Sequence, residues 1–183
     1  LLQAANTARF SLRHFVRGYY PVVQAQRQPL PVNRLFFPLS NPAGESCYIR
    51  ELGQTHFLTP GRFYFIPAFY PVAVNLERNL HFLSIHTTLE ILPGSELFAG
   101  CSRMLNLPVP TEFPALLELF DSEPASLPFP ALKCIGLLFP LHLVLAGHYP
   151  EEDFRLVLML RQFSSLTAYL RDSGTAETRV RDL

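Results

Sequence analysis

At Pro93-Gly94 the chain changes period, and that change limits its fold more than any other feature does. Before it, from about residue 30 to residue 89, short runs rich in aromatic and β-branched residues are cut apart by turn clusters. Leu35 to Phe37, Cys47 to Arg50, Phe63 to Ile66, Val72 to Val74 and Leu80 to Thr88 are the runs. Asn41 to Gly44, Gly53-Gln54, Thr59 to Gly61 and Glu77 to Asn79 are among the clusters between them. Strands this short and closely spaced pair as hairpins and close into a sandwich or barrel. After the switch, apolar residues recur at helical spacing. Ser95-Glu96 is expected to open a short helical stretch, Thr111 to cap a second through Leu119, and Pro130 to begin a long helix ending at Gly147. A further helix is expected from about Glu152 to Ser173, acidic at its start and followed by Gly174. Its main stripe includes Leu156, Met159 and Leu160, and Phe154, Val157 and Leu158 add a second apolar face. A β unit followed by helices gives an α+β class: an N-terminal antiparallel β-barrel, then C-terminal α-helices.

Composition sets outer bounds. With 183 residues and 49% apolar content the chain can bury a substantial core as one domain plus a small appendage. Equal numbers of basic and acidic residues leave no net charge, which argues against nucleic-acid binding by bulk electrostatics. The charge is uneven, though. Eight arginines face only Glu45, Glu51 and Glu77 over residues 1 to 80, whereas residues 81 to 150 hold six acids against Arg103 and Lys133. Such an asymmetry suits packing of the two halves on each other, or an anionic ligand on the first.

Cys47, Cys101 and Cys134 are odd in number and irregularly spaced, so neither a disulfide framework nor a metal site is implied. The opening residues show no charged leader with an apolar core, and the expected location is the cytoplasm. Cys134 to Gly147 is too short to span a bilayer and contains Pro140 and His142, so it reads as a buried helix with a bend at Pro140.

Gly61-Arg-Phe-Tyr-Phe-Ile-Pro67 is a turn glycine, a five-residue strand and a proline that ends it. It resembles the second motif of cupin barrels, except that Phe69 and Val72 stand where that pattern places a Gly and a metal-binding His. Without those ligands no metal and no cofactor is expected. Over nearly the whole chain the order Phe65-Ile-Pro67, Leu83 to Thr87, then Leu92-Pro-Gly-Ser-Glu-Leu-Phe98 is similar to the AraC family of bacterial transcription regulators. Leu166 to Gly174 and Val180 to Leu183 look like the opening of that family's DNA-binding module. The resemblance implies a cupin-like effector-binding barrel over residues 1–92, a helical dimerisation segment over 93–150, and a linker helix with the start of a helix-turn-helix domain over 151–183. It also implies a small polar effector, a sugar by default, a homodimer, and DNA as a partner through a part of the parent protein absent here. Both ends then read as fragment boundaries, since the chain opens on Leu1 without Met.

Candidate ligand-binding residues follow from strand parity. Phe82, Ser84 and His86 share one face of their strand and make a wall for a polar ligand with an aromatic contact, while Leu83 and Ile85 face the core. His81 lies five positions from His86 and points the other way. His56 could join the same cavity, and Arg34, which begins the first convincing strand, offers a guanidinium fork for hydroxyl or carboxylate groups. Tyr64 and Tyr70 are amphipathic candidates. For the dimer, Cys134, Leu137, Leu141 and Val144 form one apolar stripe, with a second on Ile135, Leu138, Phe139 and His142; a helix with two stripes can bury one and offer the other to a partner copy. The rival functions are a small cupin-type metal-dependent isomerase or oxygenase, and a solid oligomerisation scaffold. No Ser/His/Asp order or phosphate-cradling glycine loop supports an enzyme.

Overall fold

A computed structural model describes residues 8–20, 24–26, 29–92, 94–121, 129–155, 157 and 159. The chain forms two antiparallel sheets and two helices, an α+β arrangement in three layers. The strands are β1 (Arg9–Tyr19), β2 (Gln24–Gln26), β3 (Asn33–Ser40), β4 (Tyr48–Glu51), β5 (Gln54–Phe57), β6 (Arg62–Ile66), β7 (Ala73–Leu76), β8 (His81–Leu92), β9 (Ser95–Glu96) and β10 (Leu105–Pro108). The helices are α1 (Phe113–Asp121) and α2 (Phe129–Ala146). The larger sheet runs β1-β8-β3-β6-β10, with β9 on β8, and the smaller runs β2-β7-β4-β5. Among the described residues no strand pairing joins the two sheets, so pairing does not close a barrel. No described helix is long and apolar enough to cross a membrane.

Alternation along the central strands explains the layering. Leu35 and Phe37 of β3, Phe63 and Phe65 of β6, and Leu83, Ile85 and Leu89 of β8 share one core with the helical layer, including Phe98, Leu116, Leu138 and Leu145. Their neighbours Phe36, Tyr64, Ile66 and Phe82 share the other core with Ile49 and Leu76 of the smaller sheet. A strand covered on both faces loses polar alternation, which is why Phe63 to Ile66 reads as one apolar run. Each fully buried side chain of this size contributes about 1.5–3 kcal/mol.

Polar groups inside are matched. The Glu96 carboxylate accepts from Asn33 Nδ2 at 2.5 Å, Phe98 N at 2.7 Å and Leu89 N at 2.9 Å, and Asn33 Oδ1 accepts from Ala68 N at 2.9 Å. Ser95-Glu96 is therefore a short strand on β8, not the expected helix start: its buried carboxylate is held by backbone donors, and Leu97 N donates to Leu89 O at 2.8 Å. On α2, buried His142 donates from Nδ1 to Leu138 O and accepts at Nε2 from Thr87 Oγ1, both at 2.7 Å, tying the helix to β8.

Other expectations change here. β1 lies ahead of Arg34, where the first strand was expected, and β10 occupies a segment assigned no element. α2 continues through Pro140. Its buried face is Cys134 and Leu141 from one expected stripe, Leu138 and His142 from the other, and Leu145 from neither. Cys134 and Leu141 are packed in the core of this chain rather than on an open stripe, because the 3.6-residue turn brings them over Leu138 and Leu145. Leu137 is partly buried against the same core, and Val144 alone of that stripe is well exposed, at 62%. After a 3-10 turn at Glu151–Phe154, Val157 is buried and Met159 exposed; the remainder of the expected helix to Ser173 lies outside the described residues.

Candidate functional site

Between the two sheets lies a cavity of about 370 Å³. Its floor is the face of the larger sheet that the helices leave uncovered, and strand register builds it row by row. His14 of β1 pairs with His86 of β8, and His86 pairs with Arg34 of β3. The next row sets Val16 beside Ser84 and Ser84 beside Phe36. Ile49, Val74 and Leu76 of the smaller sheet form the opposite wall. Tyr19, 64% exposed, and Val16, 38% exposed, put the opening along β1.

A bulge places His14 here. Leu12 pairs with Thr87 and His14 with His86, so Arg13 is the extra residue and the parity of β1 inverts across it. Phe10 and Leu12 point to the helical core before the bulge and Phe15 after it, leaving His14 and Val16 on the cavity side.

The polar end of the cavity is cationic. The His14 and His86 rings lie 4.7 Å apart, and Ser84 Oγ is 3.4 Å from His86 Nε2. Arg34 Nη2 donates to Tyr70 O at 3.5 Å, while its buried Nε has no partner among the described residues. Burial lowers the Arg34 pKa to about 10. Burial, then the neighbouring charges of His14 and Arg34, lower His86 to about 4, so at neutral pH it is an uncharged imidazole. Among the described residues, no acidic side chain lines the cavity.

Of the residues expected at a ligand site, Arg34, Phe82, Ser84 and His86 line this cavity together. His56, Tyr64 and Tyr70 do not. His56 Nε2 sits 3.0 Å from Glu51 Oε1, and Tyr70 donates to Glu51 Oε2 at 2.6 Å, so both are engaged by a buried carboxylate that also accepts from Met104 N at 3.0 Å. Burial, then this bond, raises the Tyr70 hydroxyl. Tyr64 is fully buried, its hydroxyl donating to Phe57 O at 2.5 Å and accepting from Thr59 N at 3.0 Å. His81 stacks on Tyr19 with ring centres 4.3 Å apart and is not itself among the lining residues. Sequence reading missed His14, Val16, Tyr19 and Tyr20. The signal was the apolar alternation Phe10, Leu12, then Phe15, which slips once at Arg13 and so looks irregular.

Among the described residues, no group of three or more His, Cys, Asp or Glu is placed to hold a metal ion. No family model matches the chain, and no curated protein matches its sequence.

Proposed function

We propose that this chain is the small-molecule-sensing portion of a transcription regulator similar to the AraC family, with the cavity between its sheets as the effector site. One observation carries the reading: a 370 Å³ space with apolar walls and a few convergent polar groups, in the size range of ligand pockets, about 300–1,000 Å³. The two facing sheets are compatible with a cupin-like unit, and the helical layer is the segment through which the resemblance implies homodimerisation. Leu132, Leu143 and Val144, each exposed by more than half, are available for that contact on α2. DNA would be bound by the parent protein's helix-turn-helix units, in the cytoplasm, and the effector would act by favouring one arrangement of sensor and DNA-binding units over another. A default sugar effector suits this lining less well, since a sugar needs a polar partner for most of its hydroxyls and the walls are mainly aliphatic and aromatic.

Differential scanning fluorimetry of the chain against sugars, organic acids and neutral apolar metabolites tests the sensor reading, because a ligand of the folded state raises apparent stability. At least one class is expected to raise the melting temperature, with the rise lost in Ser84→Trp, which fills the cavity. No response to any class would leave the scaffold rival standing. A stoichiometric transition metal in protein purified without chelator would favour the enzyme rival.

A further inference from the structure

The cavity sets His14, His86 and Arg34 in adjacent positions across three strands with no acidic residue among its described lining, and this arrangement limits what can fill it. His14, His86 and Arg34 occupy one row, in register, with the uncharged His86 ring between the other two. A guanidinium set in such a row, with no carboxylate among the described lining residues, marks a site whose counter-charge comes from outside. Arg34 adds a second observation. Its Nε is buried without a partner among the described residues, a state that costs about 1–3 kcal/mol or more for a charged group, and its donor bond to Tyr70 O at 3.5 Å is long. A guanidinium with free N–H groups is shaped to receive a carboxylate through two parallel bonds.

The rest of the lining defines the other end of the ligand. Leu30, Phe36, Ile49, Ile66, Val74 and Phe82 offer no hydrogen-bonding side-chain group. A small hydrated anion would leave these walls uncovered, and a polyhydroxylated sugar would lose water at its hydroxyls without replacement.

We infer that the cavity binds an amphipathic organic monocarboxylate, its head group held by Arg34, His86 and His14 and its aliphatic or aromatic body lying between the sheets. This rests on the sensor reading and narrows its ligand class. Ser84 and the His86 ring supply neutral hydrogen bonds beside the guanidinium. The bulge at Arg13 becomes part of the site, because without it His14 would face the helices.

Isothermal titration of the whole chain with octanoate, decanoate and 3-phenylpropionate, each beside its primary amide or alcohol and with arabinose and glucose as sugars, tests the inference. At least one acid is expected to bind ten or more times tighter than its neutral counterpart. Arg34→Met should abolish that preference and Arg34→Lys restore part of it. If Arg34→Met does not fold, His14→Phe is the second variant: the residue is exposed, so folding should survive while acid binding weakens at least threefold. Equal binding of acid and neutral counterpart, or acid binding indifferent to these substitutions, would overturn the inference. Sugars or alcohols binding in place of acids would remove the carboxylate and leave the sensor reading intact. No binding by any of these probes would overturn the inference, and the wider fluorimetry screen then decides the sensor reading.

Discussion

His142 illustrates how a titratable side chain becomes a structural one. Its ring is completely buried between α2 and β8 and holds one proton, on Nδ1, where the Leu138 carbonyl can only accept; Nε2 must then accept from Thr87. Burial lowers its pKa from 6.5 to about 4, which means that the unfolded chain takes up a proton first as the pH falls. The contribution is therefore present above about pH 6.5 and is lost as the pH falls toward 4, a difference of about 3 kcal/mol for this ring alone. His86 works in the same direction and window, though its ring is less buried. Glu96, whose carboxyl burial raises, works in the opposite sense, so the informative comparison is wild type against variant. His142→Leu should be less stable at pH 7, because Thr87 loses its acceptor, yet lose less stability than wild type between pH 7 and 4.5. Urea unfolding at both pH values measures this. Equal losses would mean that another group carries the acid sensitivity.

Turns and helix faces decide the elements. The β4–β5 hairpin closes through two residues, Leu52 and Gly53, both with positive φ, at 38° and 84°. That is the backbone of a type I′ turn, whose preferred first residue is Asn, and Leu52 is 87% exposed. Leu52→Asn should therefore stabilise the protein by about 0.5–1 kcal/mol, seen as a higher urea midpoint with unchanged slope. Phe69, at φ 62°, is a parallel case: it stands where the cupin pattern has glycine and keeps the left-handed backbone glycine would favour. On α2 a charge separates core from surface. Leu138→Glu or Leu141→Glu should unfold the protein, whereas Val144→Glu should leave the monomer fold intact and, if α2 pairs two copies, lower the mass in sedimentation. An unfolded Val144→Glu would show that this side of the helix is also core. The central strands were legible in the sequence because burial on both faces makes them apolar and their flanking turns carry Gly, Pro and Asn. Parity alone also placed Phe82, Ser84 and His86 on one face. What parity could not supply was β1, whose alternation is broken by one extra residue, or the correct face of α2, whose apolar residues surround the helix. Nor could it foresee that Glu51 engages both His56 and Tyr70, since Glu51 is one turn from His56 in sequence but 53 positions from its third donor, Met104.

At the scale of the whole molecule, the larger sheet separates two unequal interiors. On one side β3, β6 and β8 pack against Phe98, α1 and α2; on the other they meet the smaller sheet across the cavity. Local opening is least costly where fewest apolar contacts are lost, so the smaller sheet is the layer expected to part first. Hydrogen exchange followed by mass spectrometry should find the slowest amides in β3, β6 and β8 and faster exchange in β4, β5 and β7. A ligand seated between the sheets touches both walls, and binding to the closed arrangement stabilises it by mass action. Saturating acid should then slow exchange in β4 and β7, which carry Ile49, Val74 and Leu76, as well as in β1 and β8 on the floor, while α1 changes little. This pattern separates binding in the cavity from binding on the helical surface, which would protect α1 and α2 instead. Uniform protection of every layer before ligand is added would mean that the two interiors open together, and a sensor would then need another way to pass binding from the cavity to the helices.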